Sequence, residues 1–488
     1  LMTVACNPMA QNDLFRAQIT LFYPLLWQFL CHHKSTVYMS VTTQNTFETI
    51  NGISKSRKKK ILFANIPADG HFNPLTSLAV HLKQAGHDVR WYTGPSYAAK
   101  VEKLGIPYYV FSKAKEVTVD NIDEVFPQRK QIKNHVKKVV FDICTYFIER
   151  GAEFFEDIKD INRSFDFDIL IADNAFTGIT FVKEKLKKHT VTIGILPLNE
   201  TSKELAPPIM GLTPAKTFIG RGFHAFLRYV ANNVLLKKPT ALMHHYHNQY
   251  GIVTGDKNIF DVQIERSTLY LQSGTPGFEY KRSHISSNIH FIGPLLPYQS
   301  GKPYRINFHD KLNKYPQVIL VSQGTFERDV TKLIVPTLEA FKNSNSLVVA
   351  CTAGSDTEAL RQRFASYDNI VIEDFIPFND IMPHADVFVS NGGFGSAMLS
   401  INNLLPMVVA GIHEGKNEIC ARVGYFKLGI NLHTERPRSI KIKKAVERIL
   451  NDKTYTQNIE KLSAEFSRYQ PEKLVEQHID KLPALRTV

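Results

Sequence analysis

The chain has 488 residues, of which 43% are hydrophobic and 22% charged. That balance fits two or three globular domains and excludes a disordered or fibrous chain. The net charge of +13 suits an anionic ligand. The basic residues are scattered apart from Lys55-Ser56-Arg57-Lys58-Lys59-Lys60, which reads as a solvated lead-in, so no nucleic-acid partner is expected. Five widely spaced cysteines (Cys6, Cys31, Cys144, Cys351 and Cys420) form no C-x-x-C pair. They predict reduced thiols and a cytoplasmic setting, with Cys351 and Cys420 as packing residues.

Residues 1–58 read as a disordered leader, or as an over-long start ahead of Met39. The apolar run Ile19–Leu30 is shorter than the roughly 20 residues a spanning helix needs, so no membrane span is expected. An interfacial anchor is the alternative for it. The first domain is placed at 59–296. Ile61–Ile66 reads as a buried strand, and Asp69-Gly70-His71-Phe72-Asn73-Pro74 as a turn entering a helix, with Asn73 as cap and Pro74 in first position. Leu75, Leu78, Ala79 and Leu82 give the helix one apolar face. Strands at Val89–Tyr92, Ile169–Ala172 and Val191–Ile195 continue a parallel, doubly wound α/β sheet. The stretches 111–165 and 197–250 interrupt this alternation with helices rich in aromatics, among them Phe141, Phe147, Phe154, Phe155, Phe218, Phe223, Phe226 and Tyr229. Most of these are expected to pack helix against helix.

Pro294, Pro297, Pro303 and Pro316, with Gly301, mark an interdomain linker at 297–316. The second domain, 317–450, restarts the pattern with a strand at Val318–Ser322, a turn at Gln323-Gly324-Thr325, a helix over Val330–Phe341 and a strand at Leu347–Ala350. Its centre is Val387-Phe388-Val389-Ser390-Asn391-Gly392-Gly393-Phe394-Gly395-Ser396, followed by a helical run and the strand Pro406–Ala410. Glycines let backbone approach a ligand, and the N–H groups that open a helix favour an anion. The reading is a diphosphate site, with plain turn chemistry as the alternative. The spacing is neither G-x-G-x-x-G nor a Walker loop. Residues 451–488 read as terminal helices.

With Asp374-Phe375-Ile376-Pro377 and Met382-Pro383-His384-Ala385-Asp386 upstream, and Glu414-Gly415-Lys416-Asn417-Glu418 and Ala421-Arg422-Val423 downstream, this order resembles the donor region of nucleotide-sugar glycosyltransferases. That family includes macrolide, flavonoid and plant secondary-metabolite enzymes. Residues 59 to about 450 can be laid on its GT-B pattern of two facing Rossmann-like domains with a cleft between them. The resemblance implies that the insertions shape an acceptor pocket and that the terminal helices cross back to the first domain. His71 sits in a turn that matches the one bearing the family's catalytic histidine, the general base; a surface turn histidine is the alternative. Asp173 falls at the family's paired aspartate, which holds and charges that base; a helix cap is its alternative. Donor contacts are expected from Gly324, Thr325, Ile376, Gly393, Gly395 and Ser396. Phe375 stands where a tryptophan usually stacks on the base, or else is a core residue.

Asn391 replaces a phosphate-binding histidine, Leu399 a ribose-binding glutamate, and Gly415-Lys416 an Asp-Gln pair. An apolar residue near C2 of the pentose tolerates deoxyribose better than ribose. A dTDP-6-deoxyhexose, dTDP-rhamnose first, is therefore the favoured donor, with UDP-glucose possible. Lys416 would pair with phosphate, and Glu414 or Glu418 with sugar hydroxyls, unless these charges only decorate a helix start. The implied reaction is inverting hexosyl transfer to a small hydroxylated acceptor such as a flavonoid, phenolic or macrolide aglycone. No cofactor is expected, and metal independence is expected with it. A sugar-nucleotide epimerase of the same fold and a non-catalytic nucleotide-binding partner are the competing readings; the oligomeric state is left open.

Overall fold

Two parallel sheets carry the molecule, and their strands are buried on both faces. The structure, a computed structural model, describes residues 58–118, 120–299, 301 and 305–484; the leader reading for 1–58 and the anchor reading for Ile19–Leu30 lie outside the described residues, apart from Lys58. The first sheet contains β1 (Lys60–Ala64), β2 (Asp88–Thr93), β3 (Tyr108–Val110), β4 (Ile169–Asp173), β5 (His189–Gly194), β6 (Leu269–Ser273) and β7 (Ile289–Gly293), in the order β3-β2-β1-β4-β5-β6-β7. Side chains alternate across a strand. Ile61, Phe63, Ile169 and Ile171 thus join one core, and Leu62, Ala64, Leu170 and Ala172 another. Burial on both faces is what a parallel sheet under helices requires.

The second sheet contains β8 (Val318–Ser322), β9 (Leu347–Cys351), β10 (Ile370–Glu373), β11 (Val387–Ser390), β12 (Met407–Val409) and β13 (Gly429–Asn431), in the order β10-β9-β8-β11-β12-β13. Each sheet has one place where successive connections leave in opposite directions. In the first it lies between β1 and β4, where Ala64 pairs with Ala172; in the second it lies between β8 and β11, where Ser322 pairs with Ser390. Ligands of open parallel sheets bind beyond the carboxyl ends of the strands at such a switch point.

The helices that shape the cleft are α1 (Asp69–Gln84), α2 (Phe218–Val230), α3 (Phe394–Asn402), α4 (Lys416–Tyr425) and α5 (Pro471–Asp480). The carboxyl ends of the two sheets face each other. Helix α1 touches α3, and Phe278, just past β6, meets Phe394 at a ring separation of 6.4 Å. After the second sheet the chain returns: Val475 and Ile479 of α5 join the first sheet's core, and Glu476 bonds His81 of α1 at 2.8 Å.

Some expectations need correction. Helix α1 begins at Asp69, and Pro74 lies inside it. His71 and Phe72 already donate to the Ala68 carbonyl, both at 2.9 Å, so Asn73 caps nothing. The segment read as linker contains a helix, His309–Lys314, whose Leu312 packs under the second sheet with Phe308. The helix expected from Val330 begins at Ile334. Among the inserted aromatics, Phe154 and Phe155 are core residues, but Phe218, Phe223, Phe226 and Tyr229 are exposed. Periodicity marks an apolar stripe without saying whether anything covers it.

Candidate active site

Strand β1 runs directly into α1, whose first turn carries His71, and the neighbouring β4 ends on Asp173. The pairing of β1 with β4 brings them together: His71 Nδ1 lies 2.8 Å from Asp173 Oδ1. Asp173 is fully buried, whereas the His71 side chain keeps 21% of its surface. Asp173 Oδ1 also accepts the Ala175 N–H at 2.8 Å, and Oδ2 accepts the Ile66 N–H at 3.3 Å. Asp173 caps no helix: the next one begins at Ile179 with Gly178 as its cap residue, and the Ala175 bond closes the turn after β4. A carboxylate can only accept, so Nδ1 carries the ring proton and Nε2 is left as an acceptor. Tyr146 lies close by; burial first, and the charge of Asp173 second, push its phenol above the ordinary range.

Across the cleft, the turns after β8 and β11 converge. Gly324 has φ 72°, and a Cβ there would lie 3.9 Å from the Asn391 amide. Asn391 is buried and its Nδ2 donates to the Gln323 carbonyl, so this amide braces the two turns against each other. Gly392, at φ 82°, has no room for a Cβ, which would meet Cys420 Sγ at 2.4 Å. Helix α3 follows with Gly393 as its cap residue and no side-chain cap. Its opening N–H groups, around the exposed Gly395 and the half-buried Ser396, stay available to an anion. Thr325 is exposed beside them. The Phe375 ring is 66% exposed, which removes the core reading, whereas Ile376 is 5% exposed in the second lobe's core and offers a ligand its backbone only. Leu399 is buried in the same core.

The charges at the start of α4 divide. Lys416 and the exposed Glu414 pair at 2.6 Å. Glu418 is engaged at both oxygens: Oε1 accepts the Gly211 N–H at 2.7 Å, and Oε2 accepts from Arg422 at 2.8 Å. Of the two carboxylates expected to meet sugar hydroxyls, Glu418 is thus held by protein partners and Glu414 is the exposed one. Arg422, 3% exposed, also bonds Glu279 of the first lobe at 2.7 Å. Burial pulls the Arg422 guanidinium pKa down, but the charges of Glu279 and Glu418 outweigh it and leave it raised. Glu279 in turn accepts the Leu198 N–H at 2.8 Å.

This network ties the segment 196–212 of the first lobe to the donor-side helix, helped by Asn417 Nδ2 donating to the Ile209 carbonyl at 2.6 Å. Ile209 has φ 77°, a left-handed conformation that a β-branched residue takes only under strain. A solvent-open recess lies between this segment and α4, walled by Leu196, Pro207, Ile209, Tyr280, Arg282 and Gly415.

Sequence reasoning placed Arg422 in the donor-region pattern without a role, and missed Glu279 and Tyr146 as parts of the site. It also passed over a D-x-D at Asp166-Phe167-Asp168, which the fold places at the amino end of β4, away from the cleft. There Asp166 pairs with Lys188 at 2.5 Å and Asp168 accepts the Lys60 N–H at 2.8 Å. No helix among the described residues is long and apolar enough to cross a membrane.

Residues 345–481 match the family described as "Erythromycin biosynthesis protein CIII-like, C-terminal domain". Among characterised proteins the chain is similar to 4'-demethylrebeccamycin synthase of Lentzea aerocolonigenes, 28% identical over 84% of this chain and 96% of that protein. It is similar also to UDP-glycosyltransferase 2 of Phaeomoniella chlamydospora, 27% identical over 88% and 97%. In fold it resembles the glycotransferase of kitacinnamycin (TM-score 0.68, 15% identity, 88% and 100% covered). A further likeness is to the spinosyn rhamnosyltransferase SpnG complexed with thymidine diphosphate (TM-score 0.60, 14% identity, 86% and 100% covered).

Proposed function

We propose, for a chain that belongs to the GT-B glycosyltransferases of the macrolide and UDP-glycosyltransferase-like family, that it transfers a hexosyl group with inversion from a nucleoside-diphosphate sugar to a hydroxyl of a small acceptor. The observation that carries this is the His71–Asp173 pair at the switch point of one sheet, facing the uncapped helix at the switch point of the other. Nε2 of His71 takes the acceptor proton, and the oxygen so exposed attacks the anomeric carbon. The bond from that carbon to the diphosphate oxygen breaks on the opposite face. Asp173 stabilises the imidazolium that results, and the N–H groups opening α3 meet the charge that develops on the leaving diphosphate. No step calls on a metal or cofactor. The recess beside Gly415 is the proposed acceptor site, and Phe375 the stacking surface for the base. A cytoplasmic location suits the buried, unpaired Cys144, Cys351 and Cys420.

For the donor we propose a dTDP-6-deoxyhexose, with dTDP-rhamnose first. Leu399 offers no partner to a 2'-hydroxyl, and Gly415 offers no carboxylate to a full set of sugar hydroxyls. UDP-glucose is the second reading, favoured by relatives described as UDP-glucosyltransferases in Starmerella bombicola and Beauveria bassiana. The test is a panel of dTDP-rhamnose, dTDP-glucose and UDP-glucose against mixed phenolic and macrolide acceptors, read by product mass. Strong turnover of UDP-glucose with none of dTDP-rhamnose removes the first donor reading. His71→Ala is expected to abolish transfer while nucleotide binding persists; transfer that survives it removes the base assignment. Free sugar released without any aglycone product would point to an epimerase instead.

A further inference from the structure

Helix α2 is built inside out. A surface helix ordinarily turns its apolar stripe to the core and its charges to water. In α2, His224 is 6% exposed and Arg228 donates to the Leu205 carbonyl, so polar residues face the protein. Phe218, Ile219 and Tyr229 are 62%, 64% and 65% exposed, and Phe223 and Phe226 stand out beside them. At 3.6 residues per turn these five share one side of the helix. The charged residues of the segment that carries them have one sign, with Glu204 lying on the protein side near Arg228. Between Glu204 and Asp256 the chain contains no Asp or Glu, but it contains Lys216, Arg221, Arg228, Lys237 and Lys238. Of these, Lys216, Arg221, Lys237 and Lys238 are exposed.

We propose that this face docks on an anionic lipid bilayer. The aromatic and aliphatic side chains enter the boundary between headgroups and acyl chains, and the exposed cations meet lipid phosphates. A second copy of the chain is the poorer occupant, because a two-fold contact would bring the same cations together on both sides of the interface. Arg228 of α2 bonds Leu205, which lines the recess, so docking brings lipid close to its rim. An apolar acceptor dissolved in the bilayer then meets the recess at high local concentration. That last consequence rests on the transfer reading; the docking does not.

The test is flotation of the full chain with mixed phosphatidylglycerol–phosphatidylcholine vesicles and with pure phosphatidylcholine vesicles, at low and high salt. The chain is expected to float with the anionic vesicles, less so at high salt, and poorly with the zwitterionic ones. Combined Phe218→Ser, Ile219→Ser, Phe226→Ser and Tyr229→Ser should lower vesicle affinity by about tenfold or more without lowering the thermal midpoint. Lys216→Glu with Arg221→Glu should remove the preference for anionic lipid. Failure of the unaltered chain to float at low salt overturns the proposal, as does a fourfold variant that floats equally well. A concentration-dependent dimer dissolved by the same substitutions, with no vesicle binding, overturns it in favour of an interface between copies.

Discussion

Replacing Asp173 by asparagine removes the charge of the pair while keeping its shape. The buried carboxylate accepts from His71 Nδ1 and Ala175 N–H at Oδ1, both at 2.8 Å, and from Ile66 N–H at Oδ2, at 3.3 Å. An amide offers one oxygen and one NH2 group. With the oxygen at the Oδ1 position both short bonds survive, and the NH2 opposes only the Ile66 N–H. Flipped, it would oppose two donors at the shorter distance. The first orientation therefore wins, and the imidazole keeps its tautomer. What is lost is the negative charge beside the imidazolium that forms during transfer. For charge centres roughly 4 Å apart at an effective dielectric of about 20, that charge is worth about 4 kcal/mol. At 1.36 kcal/mol per decade this is a rate loss of about a thousandfold. The stability cost is confined to the opposed donors at Ile66, about 1–3 kcal/mol. The assay is single-turnover transfer read by product mass, beside calorimetric titration of the nucleotide. A rate within tenfold of the unaltered enzyme, with nucleotide binding intact, would refute the base–carboxylate assignment.

Arg422→Leu leaves Glu279 and Glu418 buried without their shared cation, and a loss of about 3–5 kcal/mol is expected from urea unfolding; a loss under about 1 kcal/mol would mean that the network carries little. Gly392→Ala places a methyl against Cys420 Sγ at a φ of 82°, so nucleotide affinity and the thermal midpoint should both fall. Adding Cys420→Ala should restore only part of the loss, because it relieves the clash and not the backbone strain. His247 is 4% exposed, and burial lowers its pKa from 6.5 to about 4. The unfolded chain binds this proton near pH 6.5 and the folded one only near 4. The stabilisation is thus complete above pH 6.5 and is lost as pH falls towards 4, by about 3 kcal/mol. His247→Phe should flatten the dependence of unfolding free energy on pH in that window, and an unchanged slope would count against it.

The sheets were legible because a parallel strand buried on both faces reads as an unbroken apolar run, as at Ile61–Ala64 and Val387–Val389. The His71–Asp173 contact was accessible for a related reason. Asp173 closes such a run at its carboxyl end and His71 follows another in the first turn of the next helix, and doubly wound sheets place those ends together at the switch point. The bonds of Glu418 were not legible because a carboxylate at a helix start looks the same whether it waits for a ligand or holds Arg422 of its own helix. Arg422 reaches Glu279 across 143 residues of sequence, a separation that local pattern does not encode. Helix α2 misled in the opposite direction, since an apolar stripe records what a helix can bury and not what lies against it.

The return of α5 to the first sheet has a mechanical consequence. The chain crosses between the lobes twice, once after β7 and once ahead of Pro471, where Gly293 abuts Tyr469 so closely that a Cβ would lie 2.4 Å from the tyrosine Cβ. Two crossings side by side act as the spine of a book. They hold the lobes at two adjacent points and resist their sliding or twisting apart. The alignment of the histidine with the glycine turn is thus fixed by the path of the chain as well as by the contacts in the cleft.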